Sequence, residues 1–327
     1  MAKKDLLKER IVYKPFEYQE AADYWLKQHQ AHWLHTEVPM MSDITDWNSN
    51  LNETEKNIIG SILKGFAQTE TVVNDYWSGL VTKWFRKPEV IMMATTFGAF
   101  ETIHAEAYSL LNETLGLENF DEFMEDEATM AKIEALTSVR DSFSGETDWH
   151  EVAKSLAIFS AFTEGVNLFS SFAVLLSFKM RNKLKGVGQI VEWSIRDESL
   201  HSEAGCWLFR TLIAENPQIK TPELEAAINE AALLSLKLEI DFINKVYELG
   251  DLEGCNKSDL IHFIKNRVNT KLADLGYKPI IDKVDMTAVG RMKWFDHLSA
   301  GKQHTDFFAS RVTNYSKGNM EWDESIF

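Results

Sequence analysis

The sequence is poor in cysteine and has no apolar run long enough to cross a membrane. Its two cysteines, Cys206 and Cys255, cannot build a disulfide framework, and this usage fits a reducing cytoplasm. The most apolar segment, residues 165–178, is too short to span a bilayer, so we interpret it as part of a core helix. No apolar run follows the polar N-terminal residues, so no secretory signal is predicted. These absences favour a cytoplasmic protein that does not enter the membrane.

Basic residues are also in deficit. The chain has 34 Lys and Arg against 50 Asp and Glu, which gives a net charge of −16. Because such a surface repels phosphate, nucleic acid is not an expected partner. The sequence has no glycine-rich phosphate loop and no Ser/His/Asp arrangement, so neither a nucleotide pocket nor a hydrolase site is predicted.

What the sequence does contain is a series of long helical patterns, without a convincing strand. Helices are predicted at about residues 17–35, 52–84, 88–116, 118–140, 148–184, 188–215, 222–250, 258–275 and 292–298. Asn52 and Thr147 are the predicted caps of two of them, and Pro88 suits a first turn. Gly186 and Gly188 mark a predicted turn. We therefore predict an all-α fold, a long-helix bundle with extra peripheral helices.

The last residues, 311–327, differ from the rest. They lack a helical period and are polar and acidic, with a few isolated apolar residues. Such a segment is expected to be flexible alone and to order when its apolar residues find a groove. We predict one helical domain over residues 1–310, followed by this tail.

One helical stretch places Glu101, His104 and Tyr108 on a single face, since residues three and four apart are neighbours on a helix. That face is otherwise small and apolar, so it is expected to point inward. A carboxylate and an imidazole in a protein interior are unfavourable unless something pairs with them. A metal ion is one such partner, because Glu-x-x-His helices supply the ligands of dinuclear centres in helical bundles.

The Glu-x-x-His pattern recurs at Glu198 and His201. About one such match is expected by chance, so the setting matters more than the count. Both matches lie midway along long apolar helices, and Glu70 and Glu164 lie on two other such helices. These residues complete the ligand inventory of a dinuclear site in a four-helix bundle.

The candidate ligands are four carboxylates and two imidazoles. This donor set suits iron or manganese, whereas calcium sites avoid histidine and structural zinc sites usually include cysteine. Tyr108 could hold a radical beside such a centre, or it could be a core tyrosine. Asp197 could accept a hydrogen bond from a ligating histidine, or it could be a solvated carboxylate. Trp33 and Cys206 are interpreted as core residues.

Taken together, these residues resemble those of the small, radical-generating subunit of class I ribonucleotide reductase, and the resemblance covers nearly the whole chain. It implies a ferritin-like bundle that binds two metal ions. The implied ligands are Glu70, Glu101, His104, Glu164, Glu198 and His201.

The same resemblance implies a route for a radical. Tyr108 corresponds to the radical tyrosine, and Trp33 and Asp197 correspond to members of the transfer route. Tyr315 corresponds to the relay in the tail, and the extreme C-terminus resembles a docking peptide for the large subunit. The family's proteins are homodimers that reduce ribonucleotides only with that large subunit.

One departure concerns the metals. Many family members have Asp where this chain has Glu70, and Glu occurs there in branches that use manganese, alone or with iron. The centre could therefore be Fe2, Mn2 or Mn/Fe, and the oxidising equivalent could rest on Tyr108 or on the metals.

Two alternatives stay open. Ligand-binding oxidases of the same fold share this ligand set but typically carry a Val–Tyr crosslink. Val72 could supply the valine, whereas Phe159 stands where the tyrosine is needed, and these oxidases lack a docking tail. The second alternative is a protein without enzymatic activity, either a bundle that stores metal or a purely structural bundle. A C-terminal tail such as this one fits a metal-storage cage poorly.

Overall fold

The computed structural model describes residues 4–117, 147–248 and 250–299, without the side chains of residues 67–72. This part of the chain is helical and forms no sheet, apart from an isolated bridge between Leu252 and Cys255. The predicted all-α fold is confirmed. Among the described helices, none combines the length and apolarity that crossing a membrane requires.

The α-helices are α1 (Gln19–Gln30), α2 (Met41–Ser49), α3 (Glu53–Asp75), α4 (Thr82–Trp84), α5 (Pro88–Leu115), α6 (Trp149–Ile158), α7 (Phe169–Met180), α8 (Lys185–Glu215), α9 (Pro222–Glu248), α10 (Lys257–Asp274), α11 (Met286–Arg291) and α12 (Lys293–Ser299). Two π-helical segments, Tyr76–Val81 and Phe159–Thr163, interrupt the bundle helices. Helix α3 packs along α5, and α8 packs against α6 and α7. Helix α1 lies across α5 and also touches α8, so these elements surround one core.

Helix α3 begins as its sequence signals predict, and helix α5 both begins and ends as predicted. Asn52 and Glu55 form a reciprocal capping box, with backbone-to-side-chain bonds of 2.9 and 3.1 Å. Pro88 occupies the first position of α5, and Gly116 ends it in the left-handed conformation with φ of 64°. The pattern that runs on to Trp84 is not one regular helix, because the π segment after Asp75 separates α3 from α4.

The predicted helix over 148–184 is wrong in detail. It is divided into α6, the second π segment and α7, and its cap is Asp148 rather than Thr147. The carboxylate of Asp148 accepts the backbone N–H of His150 at 2.9 Å. Gly165 lies in the break, where an added Cβ would stand 2.3 Å from the carbonyl oxygen of Ala161. The break therefore depends on close backbone contact, which no helical period reveals.

The predicted turn at Gly186 and Gly188 is also wrong, because α8 already begins at Lys185. The chain turns earlier, where Asn182 and Leu184 have positive φ angles. Gly186 is needed for close approach instead, since an added Cβ would stand 2.6 Å from Sδ of Met40. This contact comes from the start of helix α2, which the sequence pattern did not predict.

The remaining differences are smaller. Helix α1 ends at Gln30 rather than near residue 35, and α10 begins at Lys257 with Asn256 as its cap. Helix α11 was not predicted. The predicted helix over 118–140 and the tail over 311–327 lie outside the described residues. The proposed domain boundary at 310 stays a prediction.

Candidate metal centre

Helices α5 and α8 bring both Glu-x-x-His patterns to the centre of the bundle. Glu101 and His104 project from α5, and Glu198 and His201 project from α8, all with 1% exposure or less. Glu164, which follows the second π segment, is 2% exposed and faces the same point. The long apolar helices therefore carry these polar groups into the interior, as the sequence predicts.

Four of these residues form one compact cluster. Ligand atoms of Glu101, Glu164, Glu198 and His201 all lie within 4.8 Å of one another. Nδ1 of His201 lies 2.7 Å from Oε1 of Glu101 and 3.9 Å from Oε2 of Glu164. The cluster thus concentrates carboxylates around an imidazole in a space from which water is excluded.

His104 also contacts two carboxylates of this cluster. Its Nδ1 lies 3.0 Å from Oε2 of Glu101 and 3.0 Å from Oε1 of Glu198. Both histidines therefore turn Nδ1 toward the carboxylates. Glu70 lies on α3, but its side chain falls outside the described residues. The structure thus brings together five of the six predicted ligands.

Three polar atoms of the cluster have ion-pair contacts with one another or with His104 but no hydrogen bond of good geometry. Oε1 of Glu101, Oε1 of Glu198 and Nδ1 of His201 are buried and make no well-aligned hydrogen bond to any other described residue. Such atoms are strongly unfavourable in a protein interior unless a ligand or an ion pairs with them. Two divalent cations would satisfy them, and carboxylate and imidazole donors suit iron or manganese. The residues present therefore fit a dinuclear centre.

The ionisation of the carboxyl groups reflects the same crowding. Burial and the Glu198 carboxylate raise the pKa of Glu164 well above its ordinary value. Burial and Glu101 raise the pKa of Glu198 to about 7. Burial also raises the pKa of Glu101, but His201 and His104 outweigh it and lower that pKa to about 2. In the metal-free cluster Glu101 therefore favours its ionised form, whereas burial and neighbouring carboxylates favour the neutral forms of Glu164 and Glu198.

The pKa values of the two histidines are raised, whereas burial alone would lower the pKa of an imidazole. Burial lowers the pKa of each, but the Glu101 carboxylate outweighs it and raises the pKa of His104 well above its ordinary value. Glu101 also raises the pKa of His201. The Glu101 carboxylate therefore favours the charged form of both imidazoles in the metal-free protein.

Asp197 joins His104 to Trp33, which lies in the segment after α1. Its Oδ2 accepts a bond of 2.7 Å from the indole N–H of Trp33 and lies 3.2 Å from Nε2 of His104. Burial raises the pKa of Asp197. The hydrogen bond from His104 and the positive charge of His104 outweigh burial, so the pKa of Asp197 is lowered. Asp197 is fully buried, so its interpretation as a solvated carboxylate is wrong.

Tyr108 lies one turn beyond His104 and is fully buried. Its ring centroid lies 6.4 Å from that of His104 and 4.8 Å from that of Phe66. Trp33 is also buried, as predicted for a core residue, and stacks on His104 at 5.8 Å. Tyr315 lies outside the described residues.

Sequence reasoning missed two residues of this site. Gln28 on α1 contacts both Asp197 and His201, and the indole N–H of Trp77 donates to Glu164 at 2.5 Å. Gln28 does carry a signal, because it is a polar residue on the buried face of α1 that also includes Ala21, Ala22 and Tyr24. Trp77 carries none, since tryptophan in a bundle helix is ordinarily a core residue.

The fold and the site define a class of protein, a ferritin-like helical bundle with a carboxylate–histidine cluster at its centre. The family described as "Ribonucleotide reductase, small chain" matches residues 10–285. The chain therefore belongs to the ribonucleotide reductase small-chain family, a family of oxidoreductases. The predicted resemblance is confirmed.

Two curated relatives illustrate the match. The "probable ribonucleoside-diphosphate reductase small subunit" of Invertebrate iridescent virus 3 is 34% identical over 335 residues, covering 97% of this chain and 87% of that protein. Ribonucleoside-diphosphate reductase subunit beta of Chlamydia pneumoniae is 28% identical over 320 residues, covering 94% and 91%. The similarity therefore extends over most of this chain and most of each relative.

Solved structures share the fold. The ribonucleotide reductase R2 subunit of Clostridium botulinum superposes with a TM-score of 0.76 at 22% identity, covering 86% of this chain and 89% of that one. The dimanganese(II) NrdF protein of Streptococcus sanguinis superposes with a TM-score of 0.72 at 20% identity, covering 87% and 99%. At these identities the likeness establishes the helical architecture.

Proposed function

We propose that this small subunit generates the radical of a class I ribonucleoside-diphosphate reductase from a dinuclear metal centre. The observation that carries the proposal is the buried cluster of Glu101, Glu164, Glu198 and His201 within 4.8 Å. Such a concentration of acidic groups in a dry interior is unstable without cations or protons to neutralise it.

The proposed ligands are Glu70, Glu101, His104, Glu164, Glu198 and His201. The four carboxylates offset the charge of two divalent cations, which makes a nearly neutral buried site possible. When bound, a pair of iron or manganese ions, or one of each, supplies the oxidising equivalent. Glu101 contacts both His104 and His201, so it is the residue best placed to connect the candidate ligands of α5 with those of α8.

Around this centre the chain provides a path of polar and aromatic groups. In the proposed function Tyr108 holds a radical, while Trp33 and Asp197 carry the radical equivalent toward Tyr315. Support comes from the continuous contacts between His104, Asp197 and Trp33, and from the complete burial of Tyr108. Burial protects a phenoxyl group from solvent.

The proposed partner is the reductase large subunit, which holds the substrate. We propose that residues 311–327 dock on it and that this protein acts as a homodimer in the cytoplasm. The family to which the chain belongs supports the large-subunit partner and the dimer. A tail with isolated apolar residues suits docking by an extended segment.

Metal loading followed by turnover tests this function. Purified protein is loaded with Fe(II), Mn(II) or both, treated with oxidant, and assayed for ribonucleoside-diphosphate reduction with its cognate large subunit. We expect two metal ions per chain by elemental analysis and either a tyrosyl doublet or a multiline manganese signal by electron paramagnetic resonance.

A matched pair of variants sharpens the test. Glu101→Gln removes the central charge, and Glu106→Gln changes an exposed residue on the same helix. The first variant should lose both metal binding and turnover, and the second should keep both. Absence of turnover under every metal loading of the native protein would contradict the proposal.

A further inference from the structure

Gln28 connects two parts of the site that no other described residue joins directly. It is fully buried on α1, although its side chain is uncharged. Its Nε2 lies 3.0 Å from Oδ1 of Asp197, and its Oε1 lies 3.1 Å from Nε2 of His201. One carboxamide therefore bridges a candidate ligand and a member of the proposed transfer route.

The neighbours of Gln28 determine which way its amide points. Asp197 already receives the indole N–H of Trp33, and Nε2 of His104 lies on the same oxygen. An amide oxygen turned toward Asp197 would place two acceptors against each other, so the amide N–H must donate there. The amide oxygen is then left to face His201.

This orientation determines the tautomer of His201. Because an amide oxygen can only accept, Nε2 of His201 must carry a proton and donate it to Gln28. In the neutral imidazole the lone pair then lies on Nδ1, which is the nitrogen 2.7 Å from Oε1 of Glu101. His104 follows the same logic through Asp197, so both imidazoles present Nδ1 to the centre.

We propose that Gln28 is a positioning residue for the metal centre, because it fixes the tautomer and ring orientation of His201 and holds Asp197 in place for His104 and Trp33. This inference rests on the proposed function, since it assigns Gln28 a task only if His201 binds metal. Helix α1 packs against both α5 and α8, so its Gln28 is held rigidly between the two ligand-bearing helices.

The competing interpretation is that Gln28 is a core residue whose hydrogen bonds merely satisfy its own amide. The two interpretations differ in what the removal of the amide does to His201. If Gln28 is only a core residue, an apolar residue of similar shape can replace it with little effect on the His201 imidazole. A positioning residue cannot be replaced in this way, because the Nε2–H of His201 then loses its acceptor.

The test compares Gln28→Leu, Gln28→Glu and the control Gln30→Leu, which changes an exposed glutamine on the same helix. The first measurement is Mn(II) binding by calorimetry with the full chain. The second is solvent exchange of imidazole N–H groups in metal-free, 15N-histidine-labelled protein, observed by nuclear magnetic resonance. Thermal unfolding of each variant shows whether its fold is retained.

For Gln28→Leu we expect Mn(II) affinity to fall by about 10- to 100-fold, the usual effect of removing a partner of a ligating histidine. At least one slowly exchanging imidazole N–H signal should disappear. Gln28→Glu keeps an acceptor for His201 but turns a second acceptor toward Asp197, so it should recover the slow signal of His201 while its Mn(II) affinity stays below native. Gln30→Leu should match the native protein in both measurements.

The two proposals fail separately. Native affinity and an unchanged slow N–H signal in Gln28→Leu would overturn the role of Gln28. Native protein that binds no Mn(II) would overturn the proposed function, and the exchange measurement on metal-free protein would still decide whether Gln28 holds His201. If Gln28→Leu does not fold, Gln28→Glu decides, because native Mn(II) affinity in that variant, which loses the donor to Asp197, would overturn the inference.

Discussion

The indole nitrogen of Trp33 donates a hydrogen bond of 2.7 Å to Asp197, a residue 164 positions further along the chain. The oxygen that accepts this bond also lies 3.2 Å from Nε2 of His104. Trp33 and His104 thus share one carboxylate oxygen, and their rings stack with an angle of 22° between planes. This three-residue contact gives the proposed transfer route a physical basis that can be interrupted at one atom.

Trp33→Phe removes the N–H donor and keeps an aromatic ring against His104. We expect turnover with the large subunit to fall by at least about 10- to 100-fold, while two metal ions per chain are still bound. The reason is that Asp197 loses a donor, whereas the ligands themselves are untouched. Turnover assays and elemental analysis measure the two quantities. Trp25→Phe, on the outer part of α1, is the control and should keep native turnover; equal turnover in both variants would count against the route.

Metal binding should release protons. Burial and Glu101 raise the pKa of Glu198 to about 7, and burial and Glu198 raise that of Glu164 well above its ordinary value. Below pH 7 the Glu198 carboxyl holds a proton that a cation must displace, and the raised pKa of Glu164 acts in the same direction. Mn(II) affinity should therefore weaken as pH falls, by about tenfold per pH unit for each displaced proton.

Calorimetry in buffers of different ionisation enthalpy counts the released protons directly. Glu106→Gln, a substitution at an exposed position, should release the native number. Binding that is independent of pH between 6 and 8 would show that the carboxyls are already ionised in the metal-free protein.

Gly186→Ala should destabilise the fold. An added Cβ would stand 2.6 Å from Sδ of Met40 and 3.0 Å from Oδ2 of Asp43. Asp43 accepts the backbone N–H groups of Gly186 and Val187 at 3.0 and 2.8 Å, so the clash also disturbs the cap of α8. We expect a loss of about 1–3 kcal/mol in the free energy of unfolding, measured by urea denaturation.

Gly290→Ala is the matched control, because no heavy atom lies within 4 Å of a Cβ added there. Alanine is the better helix former, so this change should be neutral or stabilise by up to about 1 kcal/mol. A similar loss in both variants would mean that backbone conformation, rather than contact with Met40 and Asp43, decides the effect at Gly186.

Glu55→Gln should make the protein less stable at neutral pH and less sensitive to acid. Burial raises the pKa of Glu55, but the hydrogen bond from Arg181 and that from the backbone of Asn52 outweigh it and lower the pKa below the ordinary 4.5. A lowered carboxyl pKa contributes stability above the unfolded value and loses it as pH falls through the folded value. The variant should therefore unfold about 1 kcal/mol more easily at pH 7. The difference should shrink as pH falls below 4.5 and vanish once the pH is below the lowered pKa of folded Glu55.

Urea denaturation at several pH values measures this difference. Glu53→Gln changes a neighbouring side chain that is 85% exposed, so it should leave both the stability and its pH dependence close to native. A constant difference between Glu55→Gln and the native protein at all pH values would assign the effect to shape rather than to charge.

The local features of the fold and site could be predicted from the sequence because they depend on neighbouring residues. Pro88 and Gly116 delimit α5 through their own backbone preferences. Glu101 and His104 share a face because helical spacing alone puts them there. Their inward orientation follows from the apolar residues around them, so the sequence alone is enough to name these candidate ligands.

Contacts between distant segments decided what the sequence could not. A Cβ at Gly165 or Gly186 would meet side chains from distant segments, and at Gly165 also the carbonyl oxygen of Ala161. Helical periodicity carries no record of such contacts. The burial of Asp197 depends on Trp33 and Gln28, which lie more than a hundred positions away along the chain. Periodicity reports which way a side chain faces, whereas hydrogen-bond partners depend on how helices pack. For that reason the sequence determined the candidate ligands and the helices that carry them, and only the tertiary structure decided which neighbours hold them.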